Sequence, residues 1–298
     1  MRSSLVVSLV LAVVLALVAA LPDAAAGLRP AAAEGRGPAL LALGDSIAFG
    51  WSGLADARAP SNFIGYPDLV AQRLGLADVN AACPGEATGG FLSPTGVDNG
   101  CRPYRLRYPL HEPYQGTQLQ YAAGYLAANP RVRLVTIDLG ANDVFVLQHG
   151  CAAAPRPAAC VEAGLPAVLG AVSANLRTIF SAIRRAAGYR GRLVALTYYA
   201  LVSDTQRLNG AIAAAAEPFG VTLVSGSDAF GSAGPGAHAG ACGAGLLIVE
   251  RPGTCDIHPT LRGSQVLADA VLRGLGGTDG APVVASLAGP AGGSRAYL

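Results

Sequence analysis

Residues 132–143 read VRLVTIDLGAND and contain the clearest strand of the sequence. The stretch opens with a mostly apolar, β-branched run, Val132–Leu139, which ends at Gly140 and is followed at once by polar residues. Nearly continuous apolar runs of this length are typical of strands that are buried on both faces, and such strands belong mainly to parallel sheets covered by helices. The stretch therefore predicts an inner strand of an α/β protein.

Strands and helices alternate along the rest of the chain. The predicted strands are Ala39–Leu43, Val79–Ala82, Val132–Leu139, Leu193–Tyr198 and Val221–Val224. The predicted helices are Pro67–Leu74, Thr117–Ala128, Pro166–Ala187, Asp204–Glu217 and Leu261–Leu275. This alternation predicts a three-layer α/β/α sandwich with a parallel central sheet. Residues 38–275 are predicted to form a single domain, since no linker or internal repeat divides them.

Three segments lack a clear periodic pattern. Gly89–Gly116 and Gly226–Thr254 are predicted to be long loops, a feature that is often functional in compact domains. Residues 276–298 are rich in Gly and Ala and are predicted to form a loosely ordered tail.

The N-terminus has the three parts of a secretory signal. Arg2 supplies a positive charge, Leu5–Leu21 is an apolar run interrupted only by Ser8, and small residues follow. Residues 1–26 are predicted to be a signal peptide, with cleavage as late as residue 33 as the alternative. An uncleaved membrane anchor is the rival interpretation. Because cleavage sequences follow the apolar run directly, we predict a secreted, extracellular protein without a stable membrane anchor.

The charged residues exclude several functional classes. The 21 basic and 19 acidic residues leave a formal net charge of +2, too small for the basic surface that nucleic-acid binding requires. All the basic residues are arginines. The absence of lysine excludes Schiff-base chemistry, a P-loop lysine and a Ser–Lys hydrolase mechanism.

The six cysteines favour disulfides over a metal site. They form three sequential pairs with Gly or Pro in each intervening loop: Cys83 and Cys101, Cys151 and Cys160, Cys242 and Cys255. An even number of cysteines in an exported chain indicates disulfides. Many connectivities are possible, and we predict the sequential one. Zinc is not expected because the sequence has no C-x-x-C motif and no Cys/His cluster.

Polar residues suited to hydrolysis follow the predicted strands. Ser46 follows the first strand, Gly85 the second and Asn142 the third, and His258 stands just before the last helix. The carboxyl ends of parallel strands meet at one edge of a sheet, where active sites gather. Nucleophilic hydrolysis needs a serine, a histidine that takes its proton and donors for the oxyanion. The order of these residues therefore predicts a serine hydrolase site.

Each residue also has an ordinary structural interpretation when taken alone. Ser46 could cap a helix, Asn142 could belong to a strand-exit turn, and His258 could be a surface histidine. Trp51 and Tyr104 could line a substrate groove or simply pack in the interior. The four residues in this order favour the catalytic interpretation, and the absence of a Gly-x-Ser-x-Gly motif argues against the common α/β-hydrolase fold.

The set resembles the SGNH hydrolases, also called the GDSL esterase/lipase family, from about Pro38 to Leu275. The similar blocks are Gly44-Asp45-Ser46, the glycine Gly85, Gly140-Ala141-Asn142-Asp143, and His258-Pro259 followed by Gly263. The resemblance implies an SGNH/flavodoxin-like fold, Ser46 as nucleophile and His258 as general base. It also implies an oxyanion hole formed by the backbone amides of Ser46 and Gly85 and the Asn142 side chain, and it implies no cofactor and no metal.

One position departs from the family pattern. The acid of the family commonly stands three residues before the histidine, where this chain has Cys255. Asp256, two residues before His258, is the favoured third member of a triad because its carboxylate would fix the tautomer and stabilise the imidazolium. Alternatively, a backbone carbonyl such as that of Cys255 orients the ring of a Ser–His dyad.

The resemblance implies a secreted serine esterase or lipase whose partner is a small-molecule or lipid ester. A carbohydrate O-acetylesterase acting through the same residues is the alternative enzyme. A non-catalytic secreted binding module is the alternative outside enzymes. The sequence leaves the acyl chain, the alcohol and the oligomeric state open, with a monomer as the expectation.

Overall fold

The structure is a computed structural model that describes residues 37–199, 201, 204–231 and 237–276. The predicted signal peptide lies outside the described residues, as does the predicted tail beyond Gly276.

Five parallel strands form the central sheet, in the order β2–β1–β3–β4–β5. The strands are β1 (Ala39–Gly44), β2 (Ala77–Asn80), β3 (Val132–Asp138), β4 (Arg192–Leu196) and β5 (Thr222–Val224). All of β1 is buried, and β3 is buried except at Arg133, as their continuous apolar sequences require. The prediction of a parallel α/β sheet is confirmed.

Helices flank this sheet. In the first half of the chain they are α1 (Ser46–Phe49), α2 (Tyr66–Leu74), α3 (Thr88–Leu92), α4 (Cys101–Arg105) and α5 (Gln118–Ala128). In the second half they are α6 (Ala141–Cys151), α7 (Pro157–Ser181), α8 (Thr205–Ala216), α9 (Gly226–Ala229), α10 (Ala237–Gly243) and α11 (Leu261–Gly274). Helix α2 packs against α11, and α7 packs against α6 and α8, which gives the three-layer α/β/α sandwich.

The long helix α7 begins earlier than its apolar pattern predicts. It starts at Pro157, and Pro166 lies inside it rather than at its first turn. Pro157 occupies the first helical position, where a proline is well tolerated because its missing N–H would be unpaired anyway. By length and composition the helical stretch Pro157–Arg185 would also suit a membrane span. In the described structure it buries Val172 and Leu176 against the rest of the protein.

The two predicted loops contain secondary structure. Gly89–Gly116 includes the end of α3 and all of α4. Gly226–Thr254 includes α9, α10 and the strand β6 (Leu247–Arg251), which pairs antiparallel with β7 (Thr254–Pro259). The prediction of long loops is therefore wrong in part for both segments. Strand β7 leads directly into α11, so this hairpin brings the C-terminal motif to the sheet edge.

Candidate active site

Ser46 is the first residue of α1, directly after β1. The turn requires a glycine before it, because Gly44 has a φ of 132° and a Cβ there would lie 2.2 Å from the Asp138 carbonyl oxygen. The side chain of Gln118 holds Gly44 at both ends: Oε1 accepts from the Gly44 N–H at 2.6 Å, and Nε2 donates to its carbonyl at 3.0 Å. The nucleophile candidate thus stands on a fixed strand-to-helix turn.

Ser46 does not cap the helix, although the sequence allowed that interpretation. Asp45 is the N-cap residue, and its Oδ1 accepts from the Ile47 N–H at 2.9 Å. The Ser46 hydroxyl therefore remains available and is only half-buried. Its oxygen lies 2.9 Å from Nε2 of His258.

Asp256 and His258 lie on β7, two residues apart. Side chains at this spacing project from the same face of a strand, since the side-chain period of a strand is two. Asp256 Oδ2 lies 2.6 Å from His258 Nδ1, so the side chains of Asp256, His258 and Ser46 form a continuous hydrogen-bonded chain.

The surroundings of Asp256 favour its ionised form. Partial burial alone would raise the pKa of this carboxyl group, but the hydrogen bond and charge of His258 and the N–H of Ile257 together hold the pKa below its ordinary value. The Ile257 N–H donates to Asp256 Oδ1 at 2.6 Å, and the Tyr199 hydroxyl donates to the Ile257 carbonyl at 2.7 Å. The bond from Tyr199, which follows β4, holds β7 in place next to the end of that strand.

Gly85 lies in a loop beside this chain. It has a φ of 83°, and a Cβ at this position would meet the Asn99 carbonyl oxygen at 2.8 Å. A disulfide between Cys83 and Cys101, with a Cα–Cα distance of 5.5 Å, links the segment that contains Gly85 to the segment that contains Asn99. A side chain at Gly85 would therefore be both strained and obstructed.

Asn142 is at the start of α6 and is almost fully buried. Its Nδ2 donates to the Glu86 carbonyl at 2.9 Å and lies 3.4 Å from Asp45 Oδ2. Its Oδ1 accepts from Asn99 Nδ2 at 2.8 Å. The next residue, Asp143, accepts from the backbone and the hydroxyl of Thr88, at 2.9 and 2.7 Å.

These residues line one cleft of about 460 Å³. The cleft is lined by Ser46, Trp51, Pro84, Gly85, Asn99, Gly100, Tyr104, Asn142, Phe145, His149, Asp256, Ile257 and His258. Trp51 packs over the imidazole of His258 with ring centroids 4.7 Å apart. Each residue that the sequence singled out for the catalytic chain and the oxyanion hole is at this cleft.

Several cleft residues were not singled out by the sequence. Asn99 and Phe145 carry no motif, and Trp51 and Tyr104 gave only an ambiguous signal. His149 had no recognisable partners in the sequence. It lies on α6 seven residues, or about two turns, beyond Asn142, and this spacing could have indicated its place at the cleft.

The cysteines form three disulfides in the structure: Cys83–Cys101, Cys151–Cys160 and Cys242–Cys255. The second joins the end of α6 to the start of α7. The third joins α10 to β7 at the residue before Asp256. Glu86 and Asp98 place carboxylate oxygens within 4.8 Å of the Cys101 sulfur, but that sulfur is part of a disulfide and is not a thiolate ligand.

A larger cleft of about 780 Å³ lies at the amino ends of β4 and β5 and contains none of the residues above. Arg184 is one of its lining residues, and its guanidinium donates to the carbonyls of Phe219, Gly191 and Gly220 at 3.1, 2.7 and 3.1 Å. These bonds hold a surface loop together.

The sandwich and the serine–histidine–carboxylate chain at the carboxyl edge of its sheet define a hydrolase of the three-layer α/β class. A sequence profile of the GDSL-like lipase/acylhydrolase family matches residues 42–266. The chain belongs to this family and is a carboxylic ester hydrolase. No curated protein matches the sequence significantly.

Solved structures of other proteins are similar to this chain at low sequence identity. A phospholipase A1 from Streptomyces albidoflavus is 19% identical with a TM-score of 0.52, and the match covers 80% of this chain and 98% of that one. An extracellular lipase from Streptomyces rimosus is 18% identical with a TM-score of 0.49, over 80% and 97% of the two chains. A variant of an acetyl-xylooligosaccharide esterase from Geobacillus is 18% identical with a TM-score of 0.48, over 82% and 97%.

Proposed function

We propose that the protein is a secreted serine esterase or lipase in which Ser46 attacks the carbonyl carbon of an ester. The observation that carries this proposal is the hydrogen-bonded chain from Ser46 Oγ through His258 to Asp256, with distances of 2.9 and 2.6 Å. His258 removes the serine proton through Nε2, and Asp256 accepts a hydrogen bond from Nδ1. This bond selects the tautomer in which Nε2 is unprotonated and stabilises the imidazolium that forms.

The oxyanion of the tetrahedral intermediate accepts hydrogen bonds from the backbone amides of Ser46 and Gly85 and from the Asn142 side chain. All three residues line the same cleft, which supports this assignment. One hydrogen of Asn142 Nδ2 is engaged by the Glu86 carbonyl, and the other has only a long 3.4 Å contact with Asp45 Oδ2. That second hydrogen is available to an oxyanion.

The reaction then proceeds through two acyl transfers. His258 gives its proton to the leaving alcohol as the tetrahedral intermediate collapses to an acyl-enzyme on Ser46. Water, deprotonated by His258, attacks the acyl carbonyl and releases the acid together with the free serine. Every proton in this cycle is transferred by a residue of the chain.

The substrate is a small-molecule or lipid ester. Trp51, Tyr104, Phe145 and Ile257 give the cleft an apolar wall suited to an acyl chain. A carbohydrate O-acetylesterase would use the same catalytic residues and differ in the alcohol that leaves.

The enzyme is secreted after removal of residues 1–26 and acts as a monomer of one catalytic domain, residues 38–275. The three disulfides support an extracellular location, because such bonds persist in oxidising compartments.

A hydrolysis profile tests this function. Nitrophenyl esters from acetyl to palmitoyl are compared with a phospholipid and an acetylated sugar, using the wild type and Ser46→Ala. We expect Ser46-dependent hydrolysis that is higher on acyl esters than on the acetylated sugar. Preference for the acetylated sugar would support the O-acetylesterase. Hydrolysis that survives Ser46→Ala at more than about a hundredth of the wild-type rate would remove Ser46 from its role.

A further inference from the structure

Two carboxyl groups lie buried directly beneath the nucleophile. Asp45 and Asp138 are each only 1% exposed. Asp45 precedes Ser46, and Asp138 ends the neighbouring strand β3. The Asp45 N–H donates to the Asp138 carbonyl at 3.2 Å, and the charge of Asp45 raises the pKa of the neighbouring Asp138 carboxyl group.

Different donors reach the two groups. Asp45 accepts from the Ile47 N–H at 2.9 Å and from the Tyr198 hydroxyl at 2.6 Å. Asp138 accepts from the Tyr66 hydroxyl at 2.9 Å through Oδ1. Among the described residues, no donor reaches Asp138 Oδ2, although this oxygen is fully buried. A buried oxygen without a donor is costly unless it carries a proton and donates itself.

One of the two carboxyl groups, Asp45 or Asp138, must carry a proton. Two adjacent buried carboxyl groups cannot both ionise, because their repulsion is not screened by water. Burial and the neighbouring Asp45 charge raise the pKa of Asp138 well above its ordinary value. Burial also raises the pKa of Asp45, but its bonds from Ile47, Tyr198 and Asp138 and the charge of His258 oppose that rise. Both oxygens of Asp45 already accept hydrogen bonds, from the Ile47 N–H and the Tyr198 hydroxyl, whereas Asp138 Oδ2 has no donor among the described residues, so the proton belongs to Asp138.

We propose that Asp138 is a positioning residue that acts as a neutral acid, donating its carboxyl proton to Asp45 so that a single negative charge remains buried beneath Ser46. This inference rests on the proposed catalytic roles of Asn142 and His258. Asn142 Nδ2 lies 3.4 Å from Asp45 Oδ2, so the charge on Asp45 adds to the bonds with the Glu86 carbonyl and Asn99 Nδ2 that orient this amide. It also gives the imidazolium of His258 a second counter-charge besides Asp256.

Two substitutions at Asp138 separate this role from simple packing. Asp138→Asn keeps an uncharged donor toward Asp45 and an acceptor for Tyr66, whereas Asp138→Ala removes both. We expect Asp138→Ala to lower kcat by about tenfold to a hundredfold with little change in KM, because Asp45, which contacts the oxyanion donor Asn142, loses its own hydrogen bond from Asp138. We expect Asp138→Asn to rescue kcat to within about threefold of the wild type. Equal losses in the two variants would overturn the proposal.

Infrared spectroscopy detects whether the Asp138 carboxyl group is protonated and does not depend on catalysis. The wild-type minus Asp138→Asn difference spectrum should contain the carbonyl band of a protonated carboxylic acid at neutral pH. Glu86→Gln is the matched control, since Glu86 is a buried acid whose pKa is raised to about 8 and whose own acid band should vanish above that pH. A difference spectrum with carboxylate bands only would show that Asp138 is ionised and overturn the proposal.

The two tests keep this inference separate from the proposed function. An active Ser46→Ala enzyme would contradict the proposed function but leave the infrared result on Asp138 intact. Circular dichroism shows whether Asp138→Ala folds. If it does not, the infrared band and the kcat of Asp138→Asn still test whether Asp138 is a neutral acid. A loss of more than about a hundredfold in the folded Asn variant would then contradict the neutral-acid role.

Discussion

The carboxylate of Asp256 lies 2.6 Å from Nδ1 of His258, and both side chains belong to one strand, β7. A spacing of two residues works here because a strand presents alternate side chains on the same face. Asp256 therefore contacts His258 although it stands two residues before the histidine rather than the three that are common in the family.

Asp256→Asn tests whether this contact orients the imidazole. The amide cannot stabilise the imidazolium and favours the wrong tautomer, so we expect kcat to fall by up to about ten-thousandfold. His258→Ala is the companion variant that defines a fully impaired site. A loss of tenfold or less in Asp256→Asn, beside an inactive His258→Ala, would assign the orienting role to a backbone carbonyl, as in a dyad.

Asn142→Ala tests the oxyanion hole. One oxyanion donor contributes about 2.7–4 kcal/mol to the transition state, so kcat should fall about a hundredfold to a thousandfold with KM almost unchanged. Asn99→Ala removes the bond that holds Asn142 Oδ1 and should have a smaller effect of the same kind. An increase in KM alone would identify Asn142 as a substrate-binding residue.

The third disulfide, Cys242–Cys255, is expected to matter for both stability and catalysis. It spans 13 positions and ends at the residue before Asp256. Replacing both cysteines by serine should lower the free energy of unfolding by about 3 kcal/mol in the chain-entropy model. Displacement of β7 should also lower kcat about tenfold to a hundredfold.

The Cys151–Cys160 bond provides the matched control, since it joins α6 to α7 away from β7. Its double serine variant should lose stability but keep kcat. Chemical denaturation and steady-state kinetics measure the two effects, and peptide mapping without reduction checks the pairing. Similar kcat losses in both variants would argue against a specific role of the third bond.

The raised pKa of Glu86 predicts that the free energy of unfolding depends on pH. Burial and the charge of Asp98 raise its pKa to about 8, so the folded protein binds this proton over a pH range in which the unfolded chain has lost it. The free energy of unfolding should therefore fall from the ordinary glutamate range up to about pH 8, by at most about 1.4 kcal/mol per pH unit. Glu86→Gln should remove this decrease. Between low pH and pH 8, its free energy of unfolding should therefore fall less than that of the wild type. Parallel pH profiles for the two proteins would show that folding does not raise the pKa of Glu86 and would contradict this prediction.

The fold and the main site residues follow from the sequence because their signals are periodic or positional. Buried parallel strands such as β3 are continuous apolar runs, and residues that follow such strands meet at one edge of the sheet. For this reason the positions of Ser46, Gly85 and Asn142 along the chain are enough to group them.

Other features have no such signal. Strand β7 contains several polar residues and is preceded by a glycine-rich segment, so neither its strand conformation nor its pairing with β6 could be predicted. Asp138 looks like an ordinary position near the end of a strand, and its pairing with Asp45 depends on the register that sets Gly44 opposite Asp138. Asn99 reaches Asn142 from a loop that is held by the Cys83–Cys101 disulfide and by a hydrogen bond from the Asn99 N–H to the Gly85 carbonyl.

The central claim is that Ser46 is the nucleophile activated by His258, and covalent labelling tests it most directly. The wild type is treated with a fluorophosphonate probe, digested and mapped by mass spectrometry, with Ser46→Ala and His258→Ala as parallel samples. We predict one adduct, on the peptide that contains Ser46, which is absent in Ser46→Ala and forms far more slowly in His258→Ala. An adduct on another residue, or labelling that persists in Ser46→Ala, would contradict the account.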